Sequence, residues 1–65
     1  MDKTVTYLAH NNDLYEITFL RDGEIIDIII YPDNNGQRGI PTYFWKLPEP
    51  VRDKIRERVT SQLEL

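Results

Sequence analysis

The chain has no cysteine, a single histidine, three glycines and no long apolar run. Without cysteine no disulfide can staple the fold and no thiolate metal site can form, which fits a reducing compartment. No stretch approaches the roughly 18 to 20 apolar residues that a membrane helix needs. The first residues, MDKTVTYLAHNND, lack a basic segment followed by an apolar one, so no secretory signal is expected. A soluble, cytoplasmic protein is therefore expected. Sixty-five residues make one small domain, 1–65, whose size keeps the buried fraction low.

The scarcity extends to reactive groups. His10 is the only histidine, and Ser61 has no base near it in sequence, so no enzyme is predicted. His10 and Asp13 offer two donors on one turn, too few for a metal site. Asp33-Asn34-Asn35-Gly36 lacks the further acidic ligands and the bidentate Glu of a calcium loop and reads as a plain Asx-Gly turn. No cofactor and no metal are expected.

What is present is a pair of alternating runs, LYEITFLRDGEIIDIIIY at 14–31, hinged at Asp22-Gly23. Asp-Gly between β-branched and aromatic residues is a strong hairpin signal, because both residues tolerate positive φ. A two-residue turn sets Phe19 opposite Ile26, Ile17 opposite Ile28 and Tyr15 opposite Ile30, all on one core face. Residues 4–9, before Asn11-Asn12-Asp13, supply a first strand. A three-residue loop over 11–13 would turn Val5, Tyr7 and Ala9 to the core; a two-residue Asn11-Asn12 turn would turn Thr4, Thr6 and Leu8 there. The first buries more apolar area and is preferred. Strands at 4–9, 14–20 and 24–31 make an antiparallel meander.

Pro32 to Gly39 is dense in turn formers and must be a loop. Residues 40–47, with Tyr43-Phe44-Trp45, form a short fourth strand or an irregular segment. Pro50 suits an early helical position, where its missing N–H costs nothing. Val51, Ile55 and Val59 then recur every four residues and predict a helix over 50–62, with Leu63 at the edge of the stripe. Arg52 and Arg56 flank one side of that stripe, Lys54 and Arg58 the other. The predicted fold is α+β: a three- or four-stranded antiparallel meander with one C-terminal helix packed on one face.

The net charge is −3, unevenly spread. Residues 1–34 carry seven acids against Lys3 and Arg21, a balance of −5; residues 35–65 carry six bases against four acids, a balance of +2. Basic side chains beside the helix stripe could reach acids on the sheet. They could also, with Tyr43, Trp45 and Lys46, stack on and neutralise a nucleic-acid strand, chiefly through Arg52 and Arg56. Against that, four acids offset the four bases of the helix segment, a negative chain disfavours counterion release, and Trp45 and Phe44 can fill the core instead.

One helix of about fourteen residues covers one face of a sheet. The other face would carry Glu16, Leu20, Ile25, Asp27, Ile29 and Tyr31: an apolar group rimmed by acids, the make-up of a contact surface unless residues 40–47 fold back over it. The favoured reading is thus a small acidic, non-enzymatic protein-interaction module that binds another protein or a second copy of itself. Such a chain suits a regulator or inhibitor of the kind phages and mobile elements carry. The alternative is single-strand nucleic-acid binding through the basic helix and the Tyr43–Trp45 aromatics. The orientation of Trp45 separates the two: buried, it removes the stacking platform; exposed beside the bases, it restores it.

Overall fold

The computed structural model describes residues 2–34 and 38–64. Four antiparallel strands, β1 (Lys3–His10), β2 (Asp13–Leu20), β3 (Ile25–Tyr31) and β4 (Ile40–Thr42), form an open sheet in that spatial order. One helix, α1 (Glu49–Leu63), lies on one face, and short 3-10 turns occupy Pro32–Asn34 and Phe44–Lys46. The α+β meander with a C-terminal helix is the fold that the sequence predicts. The turn-rich motif at 33–36 falls partly outside the described residues.

The first turn overturns the preferred register of β1. Asn11 and Asn12 both take positive φ (49° and 70°), so the loop has two residues and His10 pairs with Asp13. Asn tolerates the left-handed region because its short side chain bonds locally. The one-residue difference turns every β1 side chain over. Thr6 and Leu8 are buried, opposite Ile17 and Tyr15, whereas Val5 and Tyr7 are 46% and 51% exposed.

The second turn also departs in detail. Leu20 N–H donates to Glu24 O (2.8 Å) and Gly23 N–H to Leu20 O (2.9 Å), so the loop holds three residues, Arg21 to Gly23. Gly23 sits at φ 92°, and the Asp22 carboxylate accepts from Glu24 N–H at 2.9 Å. A turn of this length ends in a left-handed residue, which glycine takes without steric cost. Phe19 therefore pairs with Ile25, not Ile26. A bulge then absorbs one residue, and Thr18–Asp27, Ile17–Ile28 and Tyr15–Ile30 fall back into the expected register. The longer loop and the bulge cancel. Ile25 consequently packs against the core rather than on the outer face, and Ile26 is the bulged residue.

Under α1 lie Leu8, Tyr15, Ile17, Phe19 and Ile28 of the sheet, met by Val51, Ile55 and Val59 of the helix. The helix starts after Pro48, whose carbonyl accepts from Val51 and Arg52 N–H at 3.0 Å, and Pro50 stands in its first turn. It runs closest to β1, where Thr6 is small, and farther from β2, where Tyr15, Ile17 and Phe19 stand. Leu47, from an aperiodic segment, closes the core, with Phe44 half-buried beside it. Trp45 does not enter the core; it is 68% exposed. Among the described residues the ion pairs are Arg21–Asp2 (3.6 Å) and Arg56–Asp53 (3.1 Å), and neither joins helix to sheet. Apolar burial, not charge pairing, therefore seats the helix. No described helix is long and apolar enough to cross a membrane.

Candidate functional site

The face of the sheet opposite α1 is set by the same registers that build the core. Across it run three rows: Tyr7, Glu16, Ile29 and Pro41; Val5, Thr18 and Asp27; and Ala9, Leu14 and Tyr31. Lys3 and Leu20 close one end. Among the described residues, α1 and the four strands leave this face open. The apolar side chains Leu14, Leu20, Ile29 and Tyr31 are half-buried, with the Gly39 backbone against the last two, while Val5 and Tyr7 stand out.

Its polar centre is Glu16. The Tyr31 hydroxyl donates to Glu16 Oε1 at 3.0 Å, and Tyr7 sits directly across the strand pair from Glu16. That hydrogen bond is the first cause of a raised Tyr31 pKa, with desolvation and the charge of Glu16 acting in the same direction. The tyrosine therefore keeps its proton, and among the described residues the second carboxylate oxygen has no donor and can accept one. Asp27 is exposed at the rim. A shallow depression borders Glu16, Thr18, Asp27, Ile29 and Pro41.

Of the six residues predicted for this face, the structure brings Glu16, Leu20, Asp27, Ile29 and Tyr31 together on it and moves Ile25 to the core side. Sequence reasoning missed Val5, Tyr7, Leu14 and Pro41. The first two were legible in Asn11-Asn12, which fits a type I′ turn as well as a longer loop. Residues 40–47 do not fold back over the face. The segment joins the sheet edge as β4, and only its approach touches the open side: a Cβ on Gly39 would fall on Ile29 Cγ2 and 2.9 Å from Tyr31 Cε1. Gly39 is where the loop backbone lies flat against these two side chains.

A second cluster sits at the far edge. Tyr43 (63% exposed) and Trp45 stack with ring centroids 5.9 Å apart and planes 13° from parallel. The Lys46 ammonium lies 5.5 Å from each centroid. Arg56 covers the Phe44 ring at 5.0 Å while bonding Asp53 at 3.1 Å. Arg52, half-buried, has a buried Nε without a partner among the described residues. The two flanks of the helix separate as its wheel requires. Arg56 points to the aromatics, whereas Lys54 and Arg58 border a groove beside Leu8 of β1.

His10 faces Asp13 across the first turn, and no cluster of three or more metal-ligating side chains forms among the described residues. No family model matches the chain, and neither a curated protein nor a solved structure shows significant similarity to it.

Proposed function

We propose that this chain is a non-enzymatic binding module, a small cytoplasmic regulator or inhibitor that works by pressing its open sheet face against another protein. One observation carries the reading: among the described residues α1 and the strands leave the face away from α1 open, touched by the chain at Gly39, and it presents Val5, Tyr7, Leu14, Leu20, Ile29 and Tyr31 around the carboxylate of Glu16. Apolar side chains rimmed by acids, on a rigid sheet, suit a partner surface with apolar groups and a few basic or hydroxyl donors. The test is comparative capture from the native host. Wild-type chain is set against Ile29→Lys, on the open face, and Lys54→Ala, on the helix. A partner retained by wild type and Lys54→Ala and lost by Ile29→Lys supports the reading. Equal capture by all three, or loss of the fold in Ile29→Lys, overturns it.

The exposure of Trp45 favours a second reading. A stacked Tyr43–Trp45 pair topped by Lys46, with Arg52 and Arg56 on the neighbouring helix flank, is a platform on which a base of single-stranded nucleic acid could stack. It ranks second because the chain is acidic overall and Arg56 is already paired with Asp53. Quenching of Trp45 fluorescence by an oligonucleotide, steeply salt-dependent and weakened in Arg52→Ala/Arg56→Ala, would reverse that order.

A further inference from the structure

We propose that the free edge of β1 is the docking site of a second copy of this chain, pairing β1 with β1 antiparallel about Thr6 to join two four-stranded sheets into one. This deepens the binding-module reading by naming one partner, and it uses an edge of the sheet rather than its open face.

A two-residue turn makes His10 and Asp13 its closing hydrogen-bonded pair, and such pairs alternate along antiparallel strands. Thr4, Thr6 and Leu8 therefore bond to β2, and the N–H and C=O groups of Lys3, Val5, Tyr7 and Ala9 point outward. β1 is an eight-residue outer strand, and residues 4–9, TVTYLA, contain no charge and no proline. Proteins ordinarily blunt such an edge with charge, proline, bulges or short length. The opposite edge shows that protection: β4 has three residues, and Pro41 is the middle one. An unguarded edge beside a guarded one marks a surface that is paired in use.

Its register selects a second copy. With Thr6 on the two-fold axis, Val5 faces Tyr7 of the second copy, and Lys3 faces its Ala9. All four of these residues direct ladder groups outward, so the pairing satisfies the whole edge. Val5 with Tyr7 is a β-branched–aromatic cross-strand pair, a favourable kind. Asp2 falls opposite His10 of the second copy, and no like charges oppose each other along the strand. On the core side, Lys54, Glu57, Arg58 and Ser61 line the groove beside Leu8, so each helix presents an acid between two bases to its mate. The joined sheet would also bring both copies of Val5 and Tyr7 into one continuous open face.

Sedimentation velocity of the full chain, from micromolar to millimolar, tests this. A monomer–dimer equilibrium is expected. Val5→Pro removes an outward N–H while leaving the bonds to β2 intact, so it should keep the circular dichroism spectrum and raise the dissociation constant at least about tenfold. Val5→Ala, which retains the N–H and loses only the side-chain pairing with Tyr7, should raise it less than Val5→Pro does. Hydrogen exchange gives a second readout on wild type: Val5, Tyr7 and Ala9 amides should become protected as concentration rises. A chain that stays monomeric to millimolar, those amides exchanging freely throughout, overturns the pairing, as does a Val5→Pro protein that folds and dimerises like wild type. Either outcome leaves the open-face reading to stand or fall on Ile29→Lys.

Discussion

The two faces of this sheet are built from the same strands and much the same residues, and only one of them is an interior. On the helix side Thr6 is buried; on the other, Val5 and Tyr7 are half exposed although both are larger and more apolar. Hydrophobicity alone would exchange them. The face is assigned instead by parity, and parity is assigned by two residues in a turn. Asn11 and Asn12 in the left-handed region fix His10 against Asp13, after which every second side chain of β1 is committed. The open face is apolar because the register, in burying Tyr15, Ile17 and Phe19 under a single helix, leaves Tyr7, Ile29 and Tyr31 on the other side. Interior and open face here are two products of one hairpin geometry.

The sharpest way to break this contrast is to remove matched side chains from the two faces. Ile17 is fully buried and meets the helix stripe, so Ile17→Ala should leave a cavity costing about 2 to 5 kcal/mol. A single core in a domain this small rarely supplies more than about 3 to 5 kcal/mol, so that variant should be largely unfolded. Tyr7→Ala, one position away across the ladder, should change stability by less than about 1 kcal/mol. Urea midpoints for both variants check the pair. Similar losses would mean that the open face is as internal as the core.

A middle-sized effect tests where the loop meets the open face. Gly39 has no room for a methyl group against Ile29 and Tyr31, so Gly39→Ala must push the approach to β4 away from β3. Overpacking of this kind typically costs about 1 to 3 kcal/mol. The loss should be accompanied by faster amide exchange in β4 and unchanged exchange in the β1–β2 hairpin.

Smaller still is the turn that sets parity. Asn12 at φ 70° occupies the position that a type I′ hairpin prefers to give to glycine, and Asn12→Gly should stabilise by up to about 1 kcal/mol, read as a raised melting temperature. A loss instead would show that the Asn12 side chain, not its backbone, holds the register.

How much of this was legible follows from how local each determinant is. Asp22-Gly23 announced the second hairpin, and the spacing of Val51, Ile55 and Val59 announced the helix, because each signal is complete within a few residues. The β1 register was not decided locally, since Asn11-Asn12-Asp13 supports two loop lengths. The bulge was hidden because Ile25 and Ile26 are identical side chains, and either could face the core. Leu47 and Trp45 lie in a segment without periodicity, so which of them turned inward was fixed by the 3-10 turn at Phe44–Lys46, a tertiary outcome. The candidate face was readable on β2 and β3 except for Ile25. It was unreadable on β1, for the reason that the register was.

The finest test compares one tyrosine from each face. Tyr15, on the core side, has its pKa raised above the ordinary 10.0 by burial first and by the charge of Asp13 second. Tyr31, on the open side, is also raised, but by its hydrogen bond to Glu16 first. In both cases the folded chain holds the proton more tightly than the unfolded chain does. The unfolded state then binds fewer protons once pH passes 10.0, and stability must fall as pH rises through the folded values. Below that range the contribution is fully present, so stability should not respond to these groups near neutral pH. The causes separate under mutation. Glu16→Gln should return Tyr31 towards its ordinary titration while leaving Tyr15 raised, and Asp13→Asn should lower Tyr15 only slightly, because burial is its larger cause. Ring-proton chemical shifts followed from pH 8 to 12, roughly two units either side of the ordinary tyrosine value, resolve the two residues. If Glu16→Gln leaves Tyr31 unmoved, the carboxylate is not its acceptor, and the polar centre assigned to the open face is misplaced.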